Sequence, residues 1–334
     1  MLKIGSTGIK SLYIGGQKIK KAYVGDKLIF EDHIISSTLG KTWSQATGLP
    51  LPAYASSYNN LAFGNGVFLA STAPSKPSSA ILKSSNGKTW STISIGSSAS
   101  YTGYVYFANG KFFYTRNKIA SMRTSIDGIS WTAVNMPSAP TTYAWGIAGN
   151  NNQLLAIDSS GSGKCYRSTD GSSWSAGATA PAVLSGICYG DGMFLAISGR
   201  NGAAYLTRDH GSSWTSVGTG PKYPKNIIYV NNRFYATGSL KSYGVKEYTP
   251  KTNTWRDISI AMGDDNSSIC GFAGDDKIIL LLTNKCAHTS RDGGVTWTHT
   301  DLPTNTQRTN PVLGDGIFVA VNYTASEKAS IWSA

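Results

Sequence analysis

The chain has few cysteines, and this shortage excludes several classes of protein. Only four cysteines occur among 334 residues, and no two of them form a Cys-x-x-Cys pair. Structural zinc sites need clustered thiolates or imidazoles, so we expect no metal site. Dispersed cysteines also argue against a disulfide framework, and they fit assembly in a reducing cytoplasm.

Long apolar runs are missing as well. No stretch approaches the roughly 20 consecutive apolar residues that a membrane-spanning helix needs, and the first residues lack the apolar core of a signal peptide. We therefore expect neither membrane insertion nor export by a standard signal.

Acidic residues are scarce relative to basic ones. Thirty Lys and Arg against 18 Asp and Glu give a net charge of +12, which favours anionic partners. Beyond Lys18, Lys20 and Lys21 there is no dense basic run, so we expect no nucleic-acid groove.

Histidines are also few, and one lies close to a cysteine. Cys286 and His288 would share a face if they lay in a strand. The favoured interpretation is a core thiol beside a surface histidine, because His288, like His33, His210 and His299, is predicted at a linker or turn position. The sequence thus predicts no metal and no cofactor.

A tryptophan repeat dominates what is present. Seven tryptophans recur at intervals of 40 to 47 residues, each just after a turn sequence: Trp43, Trp90, Trp131, Trp174, Trp214, Trp255 and Trp297. A period in the low forties, in a chain rich in Gly, Ser and aromatic residues, indicates a radial repeat of four-stranded sheets.

A second series of turns lies between the tryptophans. Apolar strands flank Asn65-Gly66, Asn109-Gly110, Asn151-Asn152, Asp191-Gly192, Asn231-Asn232, Asp275-Asp276 and Asp315-Gly316. Asn-Gly and Asp-Gly tolerate the positive φ of two-residue hairpins, so these turns predict the inner two strands of each blade.

Each tryptophan closes a second hairpin. The turn reads Ser125-Ile126-Asp127-Gly128-Ile129-Ser130-Trp131 in one copy. Its Asp or Asn accepts backbone N–H groups, and its Trp packs over the hairpin. The predicted structural residues are Asn86, Trp90, Asp127, Trp131, Asp170, Trp174, Asp209, Trp214, Asp292 and Trp297. The turn resembles the Asp-box, or BNR repeat, of sialidases and many other propellers, with degenerate copies at Trp43 and Trp255.

Counting predicts an all-β, seven-bladed propeller of four-stranded blades over residues 32–334. Each inner turn precedes its Trp by 22 to 25 residues, and this spacing places the Trp that should follow Asp315 beyond Ala334. The segment through Thr42 and Trp43 must therefore complete the blade begun at 311–321 and close the ring. Ile34–Ser37 and Ser330–Ser333 both fit the third strand of that blade, and the C-terminal segment is favoured.

Residues 1–31 carry a different repeat, in which Leu12–Ile19 is echoed by Ala22–Ile29. Alternating apolar residues predict a small β-meander, with Tyr13, Ile14, Tyr23 and Val24 as attachment residues. The string resembles the N-terminal module of tail-associated proteins from bacteriophages of Gram-positive hosts. That resemblance implies a virion protein, assembled in the host cytoplasm, which attaches to other tail or baseplate proteins through residues 1–31.

The same Asp-box resemblance raises sialidase chemistry as an alternative. Sialidases use three arginines, a Tyr nucleophile paired with a Glu, and an Asp acid/base. The chain lacks their Phe/Tyr-Arg-Ile-Pro string, and it holds only Glu31, Glu247 and Glu327. Glu247 is predicted on a third strand, away from the axis, so no catalytic residue is assigned and the protein is predicted not to be an enzyme.

Binding through the loops of one propeller face is the favoured function. Aromatic rings there would pack on sugar C–H groups, and Arg and Lys would pair with carboxylate or phosphate. The predicted ligand-binding residues are Tyr54, Tyr58, Tyr101, Tyr104, Tyr143, Trp145, Arg200, Lys222, Tyr223, Tyr243 and Arg308. The sequence thus predicts a phage tail-tip or fibre protein that recognises a host cell-surface glycan or anionic wall polymer. A glycosidase and a purely structural virion protein remain alternatives.

Overall fold

The computed structural model divides the chain into two compact units, Met1–Ser37 and Thr38–Ala334. It describes residues 12–14, 17–19, 21–24, 27–31, 36–50, 55–74, 80–95, 102–140, 145–150, 152–159, 163–261, 268–305, 308–322 and 329–334. Within these ranges the only helix is a short 3-10 turn at Lys241–Tyr243, and no helix is long and apolar enough to span a membrane.

The first unit contains two antiparallel hairpins, one between β1 and β2 and one between β3 and β4. These strands are β1 (Leu12–Ile14), β2 (Gln17–Ile19), β3 (Lys21–Val24) and β4 (Lys27–Glu31). The predicted attachment residues lie in β1 and β3. Their role in attachment, and the predicted domain boundary after residue 31, stay predictions.

The second unit is a seven-bladed propeller of four-stranded antiparallel sheets, which confirms the predicted fold. Strand β5 (Ser44–Thr47) precedes blade 1, which comprises β6 (Ala55–Gly64), β7 (Val67–Pro74), β8 (Ala80–Ser84) and β9 (Ser91–Ser94). Blade 2 comprises β10 (Gly103–Ala108), β11 (Lys111–Arg116), β12 (Ser121–Ser125) and β13 (Thr132–Asn135). Blade 3 comprises β14 (Trp145–Asn150), β15 (Gln153–Asp158), β16 (Cys165–Ser168) and β17 (Ser175–Ala176).

The remaining blades follow the same order. Blade 4 comprises β18 (Leu184–Gly190), β19 (Met193–Ser198), β20 (Ala203–Thr207) and β21 (Thr215–Thr219). Blade 5 comprises β22 (Pro224–Val230), β23 (Arg233–Gly238), β24 (Val245–Thr249) and β25 (Thr254–Asp257). Blade 6 comprises β26 (Ile269–Asp275), β27 (Ile278–Thr283), β28 (Cys286–Ser290) and β29 (Thr298–Asp301), and blade 7 comprises β30 (Val312–Gly314), β31 (Ile317–Val321), β32 (Ala329–Ser333) and β5.

Blade 7 joins the two ends of the propeller. Its third strand, β32, pairs with β31 on one side and with β5 on the other, where Ala329 lies opposite Thr47 and Trp332 opposite Ser44. The predicted closure is confirmed, and the third strand is the C-terminal segment. Closure pairs β32 on both sides, so the fourth strand of blade 7 comes from the other end of the propeller.

The seventh tryptophan turn is assembled from both ends of the propeller. The N–H of Gly40 donates to Oγ of Ser333 at 2.7 Å, and the indole N–H of Trp43 donates to the carbonyl of Gly40 at 3.1 Å. In blade 1 the same bond runs from the Gly87 N–H to Oγ of Ser84, three residues earlier. The turn at Trp43 therefore takes its serine hydroxyl from 293 residues away, and its sequence is degenerate because Leu39 stands where the turns that match the motif have Asp or Asn.

The core lies between blades, where the second strand of each sheet packs against its neighbours. In β19 and β27 every residue is buried, because both faces of these strands contact other blades. The first strands of all seven blades surround the axis and line one cavity of about 690 Å³. The apolar inner strands predicted from the Asn-Gly turns thus form the packed centre of the ring.

Asparagine side chains clamp neighbouring first strands together at three places. The side-chain amide of Asn226 donates to the carbonyl of Phe272 at 2.6 Å and accepts the N–H of Phe272 at 2.7 Å. The same pair of bonds joins Asn60 to Val105 and Asn310 to Leu61. Each amide copies the hydrogen bonds of a β-ladder, so it satisfies backbone groups that face the next blade.

Glycines at the ends of three first strands let an aromatic ring of the next blade approach closely. A Cβ at Gly190 would clash with the ring of Tyr229, and the same holds for Gly64 with Phe107 and for Gly314 with Phe63. The rings cover the glycine backbone at these blade interfaces, so only glycine fits there.

We expect Ser333→Ala to lower the free energy of unfolding by about 1–3 kcal/mol, because the buried N–H of Gly40 would lose its acceptor. Urea denaturation followed by tryptophan fluorescence measures this change. The control Ser216→Ala lies on the exposed face of β21 and should leave the midpoint unchanged. Equal midpoints for the two variants would contradict the split turn.

We expect Asn226→Ala to lower the free energy of unfolding by about 2–3 kcal/mol, because both backbone groups of Phe272 would lose their partner. The matched control is Asn135→Ala, which removes an exposed amide from β13. Hydrogen exchange at Phe272 supplies a second readout, and protection there that survives the substitution would argue against the clamp.

Candidate functional site

Three loops meet at one end of blades 4 and 5. They are residues 199–202, 220–225 and 239–244, and we call them the basic loop cluster. The N–H of Tyr223 donates to the carbonyl of Gly199 at 2.7 Å, and the N–H of Ser239 donates to the carbonyl of Tyr223 at 3.1 Å. Because Tyr223 bonds to both flanking loops, the three loops form one hydrogen-bonded surface.

Two tyrosine rings form the aromatic part of this surface. The rings of Tyr223 and Tyr243 lie 4.9 Å apart at an angle of 48°, and Tyr223 is 48% exposed. Tyr223 adopts a φ of +46°, which is rare for a residue with a side chain, and Pro221 and Pro224 flank it. The backbone thus holds an aromatic face towards solvent.

Basic side chains surround the tyrosine pair. Arg200, Lys222 and Lys225 are exposed and Lys241 is half-buried, while the three loops contain no Asp or Glu. Asp264 and Asp265, in the next blade connection, lie outside the described residues. The basic loop cluster therefore presents several positive charges next to an exposed ring, an arrangement suited to anionic groups.

Lys225 links this surface to two concavities. It lines the axial cavity, and it also lines a groove of about 400 Å³ together with Tyr243, Ile269 and Arg308. An extended ligand on the basic loop cluster could therefore reach both the groove and the mouth of the axial cavity.

The structure brings together four of the predicted ligand-binding residues, Arg200, Lys222, Tyr223 and Tyr243. Arg308 lies in the last blade connection, as predicted, and lines the adjoining groove, but its side chain is only 2% exposed. Its guanidinium donates to the carbonyls of Asn284 and Thr304 at 2.8 and 2.7 Å. Arg308 therefore holds the connection between blades 6 and 7 in place.

The predicted loop positions of Tyr58, Tyr104 and Trp145 were wrong. These residues lie in the first strands β6, β10 and β14. These first strands begin at lower residue numbers than the predicted loops allow, because their pairing with the second strands includes these residues. Tyr104 lies opposite Thr115, and Trp145 lies opposite Asp158. Tyr104 lines the axial cavity. Tyr54, Tyr101 and Tyr143 lie outside the described residues.

The aspartates of the tryptophan turns act as hydrogen-bond acceptors. Asp127 Oδ1 accepts the N–H groups of Ile129 and Ser130, both at 2.8 Å, and the hydroxyl of Ser125 at 2.9 Å. The indole of Trp131 donates to the carbonyl of Gly128 at 3.2 Å. Equivalent acceptors occupy the other four turns that match the motif: Asn86, Asp170, Asp209 and Asp292.

These bonds keep the carboxyl groups ionised. Hydrogen bonds from backbone N–H groups lower the pKa of Asp127 to about 2. The hydroxyls of Ser213 and Thr296 contribute most to lowering the pKa of Asp209 and Asp292 to about 2. A carboxylate with a lowered pKa is a poor general acid at neutral pH, so these aspartates serve turn geometry.

Glu247 is the buried glutamate of blade 5, on the third strand as predicted. One of its oxygens lies 2.6 Å from the guanidinium of Arg256 and the other 3.2 Å from that of Arg233. Its carboxylate is therefore occupied by ion pairs on the outer half of the blade, away from the axial cavity.

A second polar cluster lies on the outer hairpin of blade 6. The prediction that His288 and His299 occupy turns was wrong: they lie in β28 and β29, directly opposite each other. His288 is 1% exposed, and burial lowers its pKa to about 4, with a smaller contribution from His299. Cys286, two residues before His288, points to the same face and contacts its ring.

Comparisons with known proteins agree with the fold. A family model described as the DUF6242 beta propeller domain matches residues 41–184. The chain has a TM-score of 0.64 to a structure of YCF48 bound to D1 peptide, with 14% identity over 89% of this chain and 97% of that one. It has a TM-score of 0.69 to a streptogramin B lyase, with 12% identity over 87% and 97% of the two chains.

A third structure, virginiamycin B lyase from Staphylococcus aureus, has a TM-score of 0.67 and 11% identity over 88% of this chain and 99% of that one. No curated protein matches the chain. At these identities the likeness extends to the fold alone, so the chain is of the seven-bladed β-propeller class.

We expect Asp127→Asn to remove a pH-dependent part of stability. The pKa of Asp127 is lowered to about 2 in the folded state, against about 3.9 in an unfolded chain. Its contribution is therefore present above about pH 4 and lost as the pH falls towards about 2. An amide fits this position, because Asn86 accepts the corresponding N–H groups of Lys88 and Thr89 at 2.9 Å.

Urea midpoints of wild type and variant between pH 7 and pH 2 measure this contribution. The difference between the two proteins should shrink as the pH falls from 4 to 2. The reverse variant Asn86→Asp should add acid sensitivity in the same range. If the urea midpoints of all three proteins changed with pH in parallel, these carboxylates would be excluded as a source of pH-dependent stability.

Proposed function

We propose that this chain is a non-enzymatic binding protein whose basic loop cluster captures an anionic polysaccharide. The observation that carries this proposal is the hydrogen-bonded surface in which Arg200 and Lys222 flank the exposed Tyr223–Tyr243 pair. Rigid aromatic rings accept the C–H face of a sugar, and guanidinium and ammonium groups pair with carboxylate or phosphate.

The charge of the whole chain supports the same class of ligand. A net charge of +12 attracts a polyanion over long distances, and the basic loop cluster offers a place for close contact. Repeating negative charges along a polymer would engage several cations at once, which strengthens binding without a deep pocket.

Residues 1–31 direct the proposal towards a virion. Their resemblance to the N-terminal module of phage tail-associated proteins favours a tail-tip or fibre protein. In that setting the ligand is a host cell-surface glycan or anionic wall polymer, and residues 1–31 attach the chain to other tail or baseplate proteins.

The side-chain environments favour binding over catalysis. Glu247 is held by two arginines, and the aspartates of the tryptophan turns are occupied by N–H and hydroxyl donors. None of these carboxylates faces the groove or the axial cavity. We therefore propose no catalytic residue.

A protein ligand is the second candidate, because a propeller of the same fold, YCF48, is described as bound to a D1 peptide. A basic and aromatic surface also suits an acidic peptide segment. This candidate requires saturable binding to peptide in the absence of any polysaccharide.

A binding assay on immobilised wall teichoic acid and on arrays of anionic and neutral glycans tests the proposal. We expect Arg200→Ala/Lys222→Ala to weaken binding at least tenfold and to reduce its dependence on salt, because two cation contacts are lost. The matched control Arg208→Ala/Lys251→Ala removes the same charge from the opposite ends of blades 4 and 5 and should bind like wild type.

Three outcomes would count against the proposal. Equal losses in both double variants would mean that overall charge, not this surface, drives binding. If the protein bound neither the immobilised polymers nor intact cells, the result would favour the purely structural virion role. Release of soluble fragments from the bound polymer would instead support the glycosidase alternative.

A further inference from the structure

The outer hairpin of blade 6 places four metal-ligating residues on one face. In the antiparallel pair β28–β29, Cys286 lies opposite Asp301, and His288 lies opposite His299. Residues two apart on a strand share a face, so the thiol, the carboxylate and the two imidazoles occupy the corners of one cross-strand rectangle.

The ligand atoms are already close to one another. Cys286 Sγ lies 3.4 Å from His288 Nε2, and one donor atom from each of Cys286, His288 and His299 falls within 4.8 Å of the other two. His299 Nε2 lies 3.0 Å from Asp301 Oδ1. The donor atoms of Cys286, His288 and His299 thus form one cluster, and Asp301 borders it through its contact with His299.

The separation of Cys286 Sγ and His288 Nε2 fits a tetrahedral zinc site. Zn–S bonds of about 2.3 Å and Zn–N bonds of about 2.0–2.1 Å at tetrahedral angles place sulfur and nitrogen about 3.5 Å apart, which matches the Cys286–His288 pair. The longer separations need a contraction of about 1 Å. His299 and Asp301 can supply it, because their side chains are 47% and 90% exposed.

We propose that Cys286, His288, His299 and Asp301 form a zinc-binding site in blade 6. The buried side chains of Cys286 and His288 would bind the ion from the protein side, and the exposed side chains of His299 and Asp301 would bind it from the solvent side. On binding, the Cys286 thiol forms the Zn–S bond and releases its proton to solvent.

The surroundings support a ligating thiol. Thr283 Oγ1 lies 3.2 Å from Cys286 Sγ and also accepts the N–H of Cys286 at 2.9 Å, so a hydroxyl orients the sulfur from the second strand. A thiol–imidazole hydrogen bond alone accounts for the buried pair. Beside this pair, the two facing positions hold a second imidazole and a carboxylate, whose ring nitrogen and oxygen lie 3.0 Å apart.

The test uses full-length protein without a histidine tag, stripped with a chelator and then titrated with Zn²⁺ alone. Elemental analysis after gel filtration should give one zinc per chain, and zinc should raise the melting temperature. Co²⁺ in place of Zn²⁺ should give a thiolate-to-metal charge-transfer band and the visible spectrum of a tetrahedral ion.

Variants separate this site from incidental binding. Cys286→Ser should abolish the charge-transfer band, and His299→Gln should lower the zinc affinity at least tenfold while the exposed position keeps the apo protein folded. Cys188→Ser and His210→Gln are the matched controls, because each removes the same ligand type from another blade, and both should bind one zinc per chain. Asp301→Asn should weaken binding, and an unchanged affinity would remove Asp301 from the ligand set.

The proposal fails if stripped wild-type protein takes up no stoichiometric zinc at micromolar concentration. It also fails if Cys286→Ser and His299→Gln bind zinc as tightly as the two controls, since the metal would then lie elsewhere. Polysaccharide binding is a separate readout, so loss of the zinc site leaves the proposed function of the basic loop cluster standing.

Discussion

The pairing of β32 with β5 is the interaction on which the rest of the propeller depends. Each blade buries its second strand by packing against neighbours on both sides, so an open ring would expose the faces of blades 1 and 7. Strand pairing between Ala329–Ser333 and Ser44–Thr47 removes both exposed faces at once. The first strands then meet around one axis, and the loops at blades 4 and 5 gain a fixed relative position.

Closure is reinforced at two radii of the ring. Near the axis, asparagine amides join the first strands of neighbouring blades by paired hydrogen bonds to the backbone. At the periphery, indole N–H groups close the tryptophan turns, and in blades 4 and 5 they reach the preceding blade instead, as Trp255 does at the carbonyl of Val217. Polar side chains therefore fix the spacing between blades whose contacts are otherwise apolar and non-directional.

The sequence predicts the architecture because the tryptophan period and the inner turns, each beginning with Asn or Asp, are local signals repeated seven times. It does not predict contacts between residues distant in the chain. Asn226 resembles any polar strand residue until Phe272 lies beside it, and Ser333 has no visible link to Gly40. His299 was assigned to a turn because nothing local shows that it faces His288 across a strand pair. The sequence predicts part of the basic loop cluster, because aromatic and basic residues in loops are a local signal. It does not predict the burial of Arg308, which depends on contacts with residues of blade 6.

The turn at Trp43 combines residues from both ends of the propeller, and this constrains the order in which the strands can assemble. Gly40 is synthesised 293 residues before Ser333, whose hydroxyl accepts its N–H. The hairpin at Trp43 therefore cannot form until β32 is synthesised, after the strands of blades 1 to 6. A ribosome paused before Ala329 would carry a nascent chain in which β31 and β5 each lack a neighbouring strand, so the propeller should rely on chaperone protection until β32 emerges.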